Sequence, residues 1–187
     1  MKLHGLLTAA VVTLSLAAGN AFAQSDKAKK QAEVRKAAET ALEKFYKADP
    51  KIRGEVEQAP GYAVFTTYGL SFIIGGAGGK GLVHDMKTKK DTYMDMAQAS
   101  AGLQIGAAES ETLIIFKSEK ALTEFVTKGW EFGGGGAVQA GAAGKSVGGA
   151  GGENVIADGL YYTLTKNGLQ AGGAVAGTKF WKDKDLN

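Results

Sequence analysis

The stretch that decides the fold lies at residues 154–175 and reads NVIADGLYYTLTKNGLQAGGAV. Its two halves, residues 154–165 and 169–175, contain the β-branched and aromatic residues that favour strands. Asn167 and Gly168 lie between the halves, and both residue types tolerate the positive φ angles of a tight hairpin turn. The C-terminal part of the chain is therefore predicted to form antiparallel β-sheet.

The strand pattern continues upstream of this hairpin. Apolar and polar residues alternate at 82–86 and at 92–96, which predicts a second hairpin with residues 87–91 at its tip. Because short turns connect these runs, the strands should pair mainly antiparallel. Further strands are predicted at residues 62–67, 70–74, 101–107, 112–116 and 178–181.

Two segments have helical rather than strand periodicity. Apolar residues recur every three or four positions over residues 25–48, which predicts an amphipathic helix capped by Ser25 or Asp26 and ended at Pro50. Residues 118–128 predict a second helix, with Ser118 as its cap and Gly129 as its stop signal. Between the first helix and the sheet, residues 50–60 are interpreted as a polar connector.

The composition is rich in glycine and poor in reactive side chains. Glycine accounts for 28 of the 187 residues, about 15%, roughly twice the usual ~7%. Such an excess within strands predicts a strongly curved or barrel-like sheet, or very close backbone contacts. The fold class is therefore α+β, with a mainly antiparallel, glycine-rich sheet, an N-terminal amphipathic helix and one inserted helix.

The absence of cysteine rules out disulfides, thiolate nucleophiles and Cys-ligated metals. The net charge of +3 is small, so no nucleic-acid partner is expected.

The N-terminus has the pattern of a secretory signal peptide. Lys2 precedes an uncharged, mostly apolar run at residues 5–18, and Ala21 and Ala23 form a small-x-small cleavage site. We predict a signal peptide at residues 1–23, an N-terminal helix and connector at 24–59, and a β-rich domain at 60–187. The protein is then expected in the periplasm or outside the cell, peripheral to the inner or outer membrane.

Catalytic, cofactor and metal motifs are weak in this sequence. Gly76, Gly78 and Gly81 match G-x-G-x-x-G, but a strand rather than the required helix is predicted to follow, so no dinucleotide or other cofactor is expected. His84 alternates with apolar residues and is interpreted as a half-buried structural histidine. We therefore predict no metal site, no catalytic residues and no enzyme. A hydrolase using His84 and a carboxylate stays an alternative, as does a catalytic pair of carboxylates at Glu109 and Glu111.

Basic residues are concentrated in two places. Three lysines occupy the tip of the 82–96 hairpin and could meet lipid phosphates, although such charges also keep a sheet edge soluble. The first half of the N-terminal helix could likewise lie on an anionic membrane, although a solvated helix face has the same pattern. The candidate headgroup ligands are Lys87, Lys89 and Lys90, and the candidate surface-helix cations are Lys27, Lys29, Lys30, Arg35 and Lys36.

An ordered series of motifs over about residues 60–182 resembles the SYLF lipid-binding domain family. The closing motifs are the most specific: YYTLTKNGLQAG at 161–172 and GTKFW at 177–181. AVF at 63–65, GGAGGKGLV at 75–83, GLQIG at 102–106 and TLIIF at 112–116 precede them in the same order. The sequence departs from eukaryotic members in lacking a Trp-Ser-x-Pro-like segment after the first hairpin.

The resemblance implies binding of phosphoinositides or other anionic lipids and, in eukaryotic members, a link to actin and membrane remodelling. It also implies that an N-terminal amphipathic helix assists membrane contact. Because a secreted chain would not meet actin, we expect a non-enzymatic lipid-binding protein of the bacterial envelope. The alternative is a structural protein of the periplasm or outer membrane that pairs strand edges with an envelope protein or with itself.

Overall fold

The computed structural model describes residues 7–68, 76–99, 109–131, 155–156, 158–165, 168–171 and 178–187. The helices of these ranges are α1 (Leu7–Ala48), α2 (Lys51–Gln58) and α3 (Glu119–Lys128). The strands are β1 (Gly61–Tyr68), β2 (Gly76–Asp85), β3 (Lys90–Ala99), β4 (Glu109–Phe116), β5 (Trp130–Glu131), β6 (Val155–Ile156), β7 (Gly159–Thr165), β8 (Gly168–Ala171) and β9 (Thr178–Lys182).

All nine strands belong to one antiparallel sheet, which curls into a half-barrel. The spatial order is β5-β9-β3-β2-β1-β4-β7-β6, and β8 also pairs with β7. The predicted α+β class with a curved antiparallel sheet is therefore confirmed. Both predicted hairpins are present, because β2 pairs with β3 and β7 pairs with β8.

One face of the sheet carries an aromatic core beneath α3. Phe65, Phe116 and Phe180 point from three strands toward Phe125 of α3, and all four are at most 1% exposed. Trp130 of β5 joins them, with its ring centroid 4.9 Å from that of Phe125. Ring edges and faces attract each other at such separations, in addition to the hydrophobic gain of burial. We call this side of the sheet the α3 face.

The ends of α3 are those that the sequence predicts. The Ser118 side chain accepts a hydrogen bond of 3.1 Å from the Ala121 amide, which satisfies one of the free N–H groups at the helix start. Gly129 follows the last turn with φ +69°, a conformation that favours glycine.

The opposite face, which we call the α1 face, is covered by α1, α2 and the C-terminal segment. Ala38, Ala41 and Phe45 of α1 and Ile52 and Val56 of α2 are buried there. Their partners on the strands are mostly aliphatic, together with two tyrosines. The apolar side of α1 is therefore buried against the sheet.

Glycine allows close contact between β1 and β2 at Gly81. A Cβ atom at this position would collide with the Val64 carbonyl oxygen and lie 2.6 Å from Cδ1 of Phe65. At Gly78, three residues earlier, a Cβ would meet nothing within 4 Å. The close contacts predicted from glycine-rich strands are thus present at particular positions of β2 rather than throughout it.

The C-terminal residues bind the edge of β3 at Tyr93, directly beyond the residues that pair with β9. The Asn187 carboxamide accepts a hydrogen bond from the Tyr93 amide at 3.0 Å and donates one to the Tyr93 carbonyl oxygen at 2.7 Å. The Asp183 carboxylate accepts a hydrogen bond from Lys80 Nζ at 2.6 Å. These contacts hold the segment after β9 against the α1 face.

Several sequence predictions need correction. The segment interpreted as a connector contains helix α2, and α1 continues through Ser25 and Asp26, so neither residue is its N-cap. Gly168 pairs with Thr165 as the first residue of β8, rather than lying within the turn. The predicted strands at 70–74 and 101–107 lie outside the described residues.

Candidate functional site

The three tip lysines lie in and directly beside the turn between β2 and β3. Register pairs Asp85 with Lys90, so the turn comprises residues 86–89 and Lys90 already belongs to β3. The Asp85 carboxylate accepts hydrogen bonds from the amides of Lys87 at 2.8 Å and Thr88 at 2.9 Å. The hydrogen bond from Thr88 contributes most to lowering the pKa of Asp85. Because these hydrogen bonds lie within the hairpin itself, the shape of the turn does not depend on a bound ligand.

The lysines of this turn are exposed and close in sequence. Lys87 Nζ lies 3.0 Å from Glu119 of α3, but both side chains are mostly exposed. Within the described ranges, Lys89 and Lys90 form no ion pair. The structure thus brings Lys87, Lys89 and Lys90 together at one end of the sheet, where water or an anionic partner can reach them.

The five predicted cations of α1 do not share one face. Lys27 donates to the Asn187 carbonyl oxygen at 2.6 Å, on the side of the helix that faces the sheet. Arg35 donates to Asp91 at 2.8 Å and to the Tyr93 hydroxyl at 2.9 Å. The hydrogen bond with Asp91 is the main cause that raises the pKa of Arg35. Both side chains therefore hold the helix to the protein.

The other three cations of α1 are exposed. Lys29, Lys30 and Lys36 have no ion pair within the described ranges. With 3.6 residues per turn, Lys29 and Lys36 lie on the same side of the helix, and Lys30 lies on its flank. Only this outer side could approach a membrane while α1 stays on the sheet.

His84 is part of a polar cluster between α1 and the sheet. Its Nδ1 lies 2.7 Å from Asp91, the same carboxylate that binds Arg35. The Tyr62 ring lies 5.4 Å from the imidazole, centroid to centroid. Together with Leu82 and residues of α1, these groups line a cavity of about 170 Å³. The predicted half-buried structural histidine agrees with this environment, in which Asp91 is already engaged by a cation.

A larger cavity of about 420 Å³ lies on the other flank of α1, and no motif in the sequence points to it. Its floor includes Thr66, Thr67 and Ser110, and Thr40, Lys36 and Lys44 are among its lining residues from α1. Lys44 forms an ion pair with Glu111 in this cavity. Glu111 was considered above as a catalytic carboxylate, and its charge is neutralised by a lysine 67 positions earlier in the chain.

Neither a metal centre nor a membrane-spanning helix is found in the described part of the chain. Within it, no three His, Asp or Glu side chains gather as metal ligands would. Among the described residues, no helix is both long and apolar enough to cross a bilayer.

A family model and a known bacterial protein are similar in sequence to this chain. The model of the Ysc84 family, described as Las17-binding protein actin regulator, matches residues 97–187. Beta cell expansion factor A of Aeromonas veronii is 31% identical over an alignment of 156 residues, and the match covers 80% of this chain. The match spans 56% of that relative, so this chain corresponds to little more than half of its length. The chain belongs to the Ysc84 family, also called the SYLF family.

Proposed function

We propose that this protein is a non-enzymatic lipid-binding protein of the bacterial envelope that docks on anionic phospholipid or phosphoinositide-like headgroups. The SYLF family consists of non-enzymatic binding domains, and its eukaryotic members are associated with lipids and actin. The observation that supports the proposal most is the β2–β3 turn, where Lys87, Lys89 and Lys90 are exposed on a backbone organised by Asp85.

Three ammonium groups on one turn supply enough attraction for a reversible membrane contact. Each basic residue near an anionic surface contributes about 1 kcal/mol. Lys87 stays available to a lipid phosphate, because its exposed ion pair with Glu119 contributes little free energy in water. The exposed cations Lys29 and Lys36 of α1 add longer-range attraction, which salt screens beyond about 10 Å.

The envelope location rests on the signal-peptide pattern of residues 1–23 alone. The same pattern argues against actin as a partner, although actin regulation is part of the family's description. Pairing of strand edges with another protein has less support, because the described edge strands β5, β6 and β8 are two to four residues long. Short edge strands offer few backbone groups to a partner.

The proposal is tested by co-sedimentation of the protein with phosphatidylglycerol vesicles and with phosphatidylcholine vesicles. We expect binding to the anionic vesicles alone, and weaker binding as salt is raised. Changing Lys87, Lys89 and Lys90 together to Gln should weaken binding about 100-fold, because about 1 kcal/mol per lysine is lost.

A matched control removes the same number of charges elsewhere. Lys47, Lys51 and Lys128 are exposed residues of α1, α2 and α3 outside the tip. Changing these three to Gln should weaken binding far less than the tip variant does. Equal losses would show that net charge, rather than the tip, determines affinity. Absence of any preference for anionic vesicles would refute the proposed function itself.

A further inference from the structure

The Asp85 carboxylate occupies the place in the β2–β3 turn that a bound anion would take. Its Oδ1 atom alone accepts hydrogen bonds from two successive amides, that of Lys87 at 2.8 Å and that of Thr88 at 2.9 Å. Successive N–H groups that converge on one point form the kind of concavity in which many proteins hold a phosphate group. In this turn the concavity is filled by a side chain of the protein itself.

The other two amides of the turn are engaged as well. The Lys89 amide donates to the Asp85 carbonyl oxygen at 2.9 Å, and the Met86 amide donates to the Pro60 carbonyl oxygen at 2.9 Å. All four N–H groups of residues 86–89 therefore donate to acceptors within the protein. The backbone of the turn has no directed hydrogen bond left with which to select one headgroup.

The groups that remain for an anion are the ammonium groups of the three tip lysines. An arginine binds phosphate through a planar fork of fixed geometry, whereas a lysine ammonium is a point charge on a flexible stem. Lys87, Lys89 and Lys90 are exposed, and the side chain of Lys87 is 74% exposed although it pairs with Glu119. Such charges respond to the electrostatic potential of a surface rather than to the arrangement of oxygen atoms in one headgroup.

Two carboxylates lie beside these lysines and reduce the positive charge that a partner meets. Asp85 is held against the backbone of the turn, and Glu119 of α3 lies 3.0 Å from Lys87 Nζ. Three lysines against two carboxylates leave a net positive charge. The affinity for an anionic surface should therefore change when either carboxylate is removed, although no lysine is altered.

We propose that the tip recognises an anionic lipid surface by its charge density and does not distinguish one phospholipid headgroup from another. This inference rests on the proposed lipid-binding function and narrows it from phosphoinositide-like headgroups to any phospholipid surface of sufficient negative charge. A membrane presents many phosphates to the lysines at once, and the attraction depends on the potential that they share. A single soluble headgroup is then not a ligand.

The first experiment compares headgroups at equal charge. Phosphatidylglycerol, phosphatidylserine and phosphatidylinositol each carry one net negative charge, so vesicles that contain the same fraction of each in phosphatidylcholine have a similar surface charge. Co-sedimentation should give affinities for the three vesicles that agree within about twofold. Soluble glycerophosphoglycerol and inositol 1-phosphate, each at about 1 mM, should not displace the protein from the vesicles.

The second experiment changes the charge of the tip and keeps its lysines. Asp85→Asn removes one negative charge but retains an Oδ1 acceptor for the two amides, as asparagine does in many turns. Glu119→Gln is the matched control, because it removes the carboxylate beside Lys87 from outside the turn. Each variant should bind all three kinds of vesicle about fivefold more tightly than the wild type. Urea unfolding checks that each variant is folded, and Glu119→Gln carries the test if Asp85→Asn is not.

The outcomes separate recognition by charge from recognition by shape. A preference of about tenfold or more for one headgroup, or displacement by its soluble form, would refute the inference and leave lipid binding intact. Weaker binding of a folded Asp85→Asn beside tighter binding of Glu119→Gln would also refute it, because the turn would then shape a headgroup-specific site. Absence of wild-type binding to all three anionic vesicles would refute the proposed function together with the inference.

Discussion

The two faces of the sheet are stabilised by different kinds of contact. On the α3 face, Phe65, Phe116, Phe125 and Phe180 pack with Trp130 in a core that is almost fully buried. On the α1 face, small and aliphatic side chains form the centre, and polar contacts at the margin hold α1 and the C-terminal segment. The first face depends on hydrophobic burial, and the second depends additionally on charge.

This difference predicts different sensitivities to solution conditions. Hydrophobic burial responds little to salt or moderate changes of pH. The ion pair of Arg35 with Asp91 has a half-exposed guanidinium, so salt should weaken it. The binding surfaces proposed for lipids are attached to a scaffold that the α3 face keeps folded.

The largest effect is expected from Phe125→Ala. Phe125 is completely buried and lies within 6.2 Å, centroid to centroid, of four other aromatic rings. Truncation leaves a cavity and should lower the free energy of unfolding by about 3–5 kcal/mol. Urea unfolding followed by circular dichroism measures this loss. Val34→Ala on the partly buried rim of the α1 face should cost only about 1 kcal/mol, and equal losses would contradict the comparison.

A smaller, pH-dependent effect is expected from Asp183→Asn. Burial acts to raise the pKa of Asp183, but hydrogen bonds from Lys80 and from the amides of Leu186 and Asp185 outweigh it and lower the pKa below 3.8. A lowered folded-state pKa stabilises the protein above the unfolded-state value, and this contribution is lost as the pH falls through the folded-state value. The variant should be about 1.5–3 kcal/mol less stable at pH 7.

The pH dependence separates this explanation from a general structural defect. The stability difference between the wild type and Asp183→Asn should shrink as the pH falls below about 4. Urea titrations at neutral and acidic pH measure it. A difference that is the same at both pH values would mean that the charge of Asp183 is not what stabilises the C-terminal segment.

The smallest effect tests how tightly the α3 face is packed at β2. Gly81→Ala should cost about 1–3 kcal/mol, because its Cβ has no room beside Val64 and Phe65. Gly78→Ala, on the same strand but in open space, should be neutral or stabilising by a few tenths of a kcal/mol. Thermal unfolding of the two variants under identical conditions measures the contrast, and indistinguishable melting temperatures would contradict it.

Local sequence signals predicted the elements whose structure depends on neighbouring residues. The β2–β3 hairpin follows from alternation, and the start and end of α3 follow from Ser118 and Gly129. Helix α2 was missed because it is short, lies between two prolines and buries only Ile52 and Val56. Its stability comes from packing on the α1 face rather than from its own sequence.

Contacts between distant residues could not be predicted in the same way. Arg35 and Asp91 are 56 positions apart, and both are charged residue types that are usually exposed to solvent. The sequence therefore grouped Arg35 with the lysines of α1, whereas the fold assigns it to the sheet. Trp181 stands out in the sequence only as part of a family motif, because the side of β9 that becomes covered depends on which strands flank it.

The contact of Asn187 with Tyr93 has a consequence for strand register. Only five residues of β9 pair with β3, and a slip of one residue would exchange the two sides of β9. Phe180 would then face water and Trp181 would enter the aromatic core. Because Asn187 binds both the amide and the carbonyl group of Tyr93, β9 could slide toward the β2–β3 turn only by displacing it. The carboxamide thus opposes a slip in that direction and helps to keep Phe180, rather than Trp181, in the aromatic core.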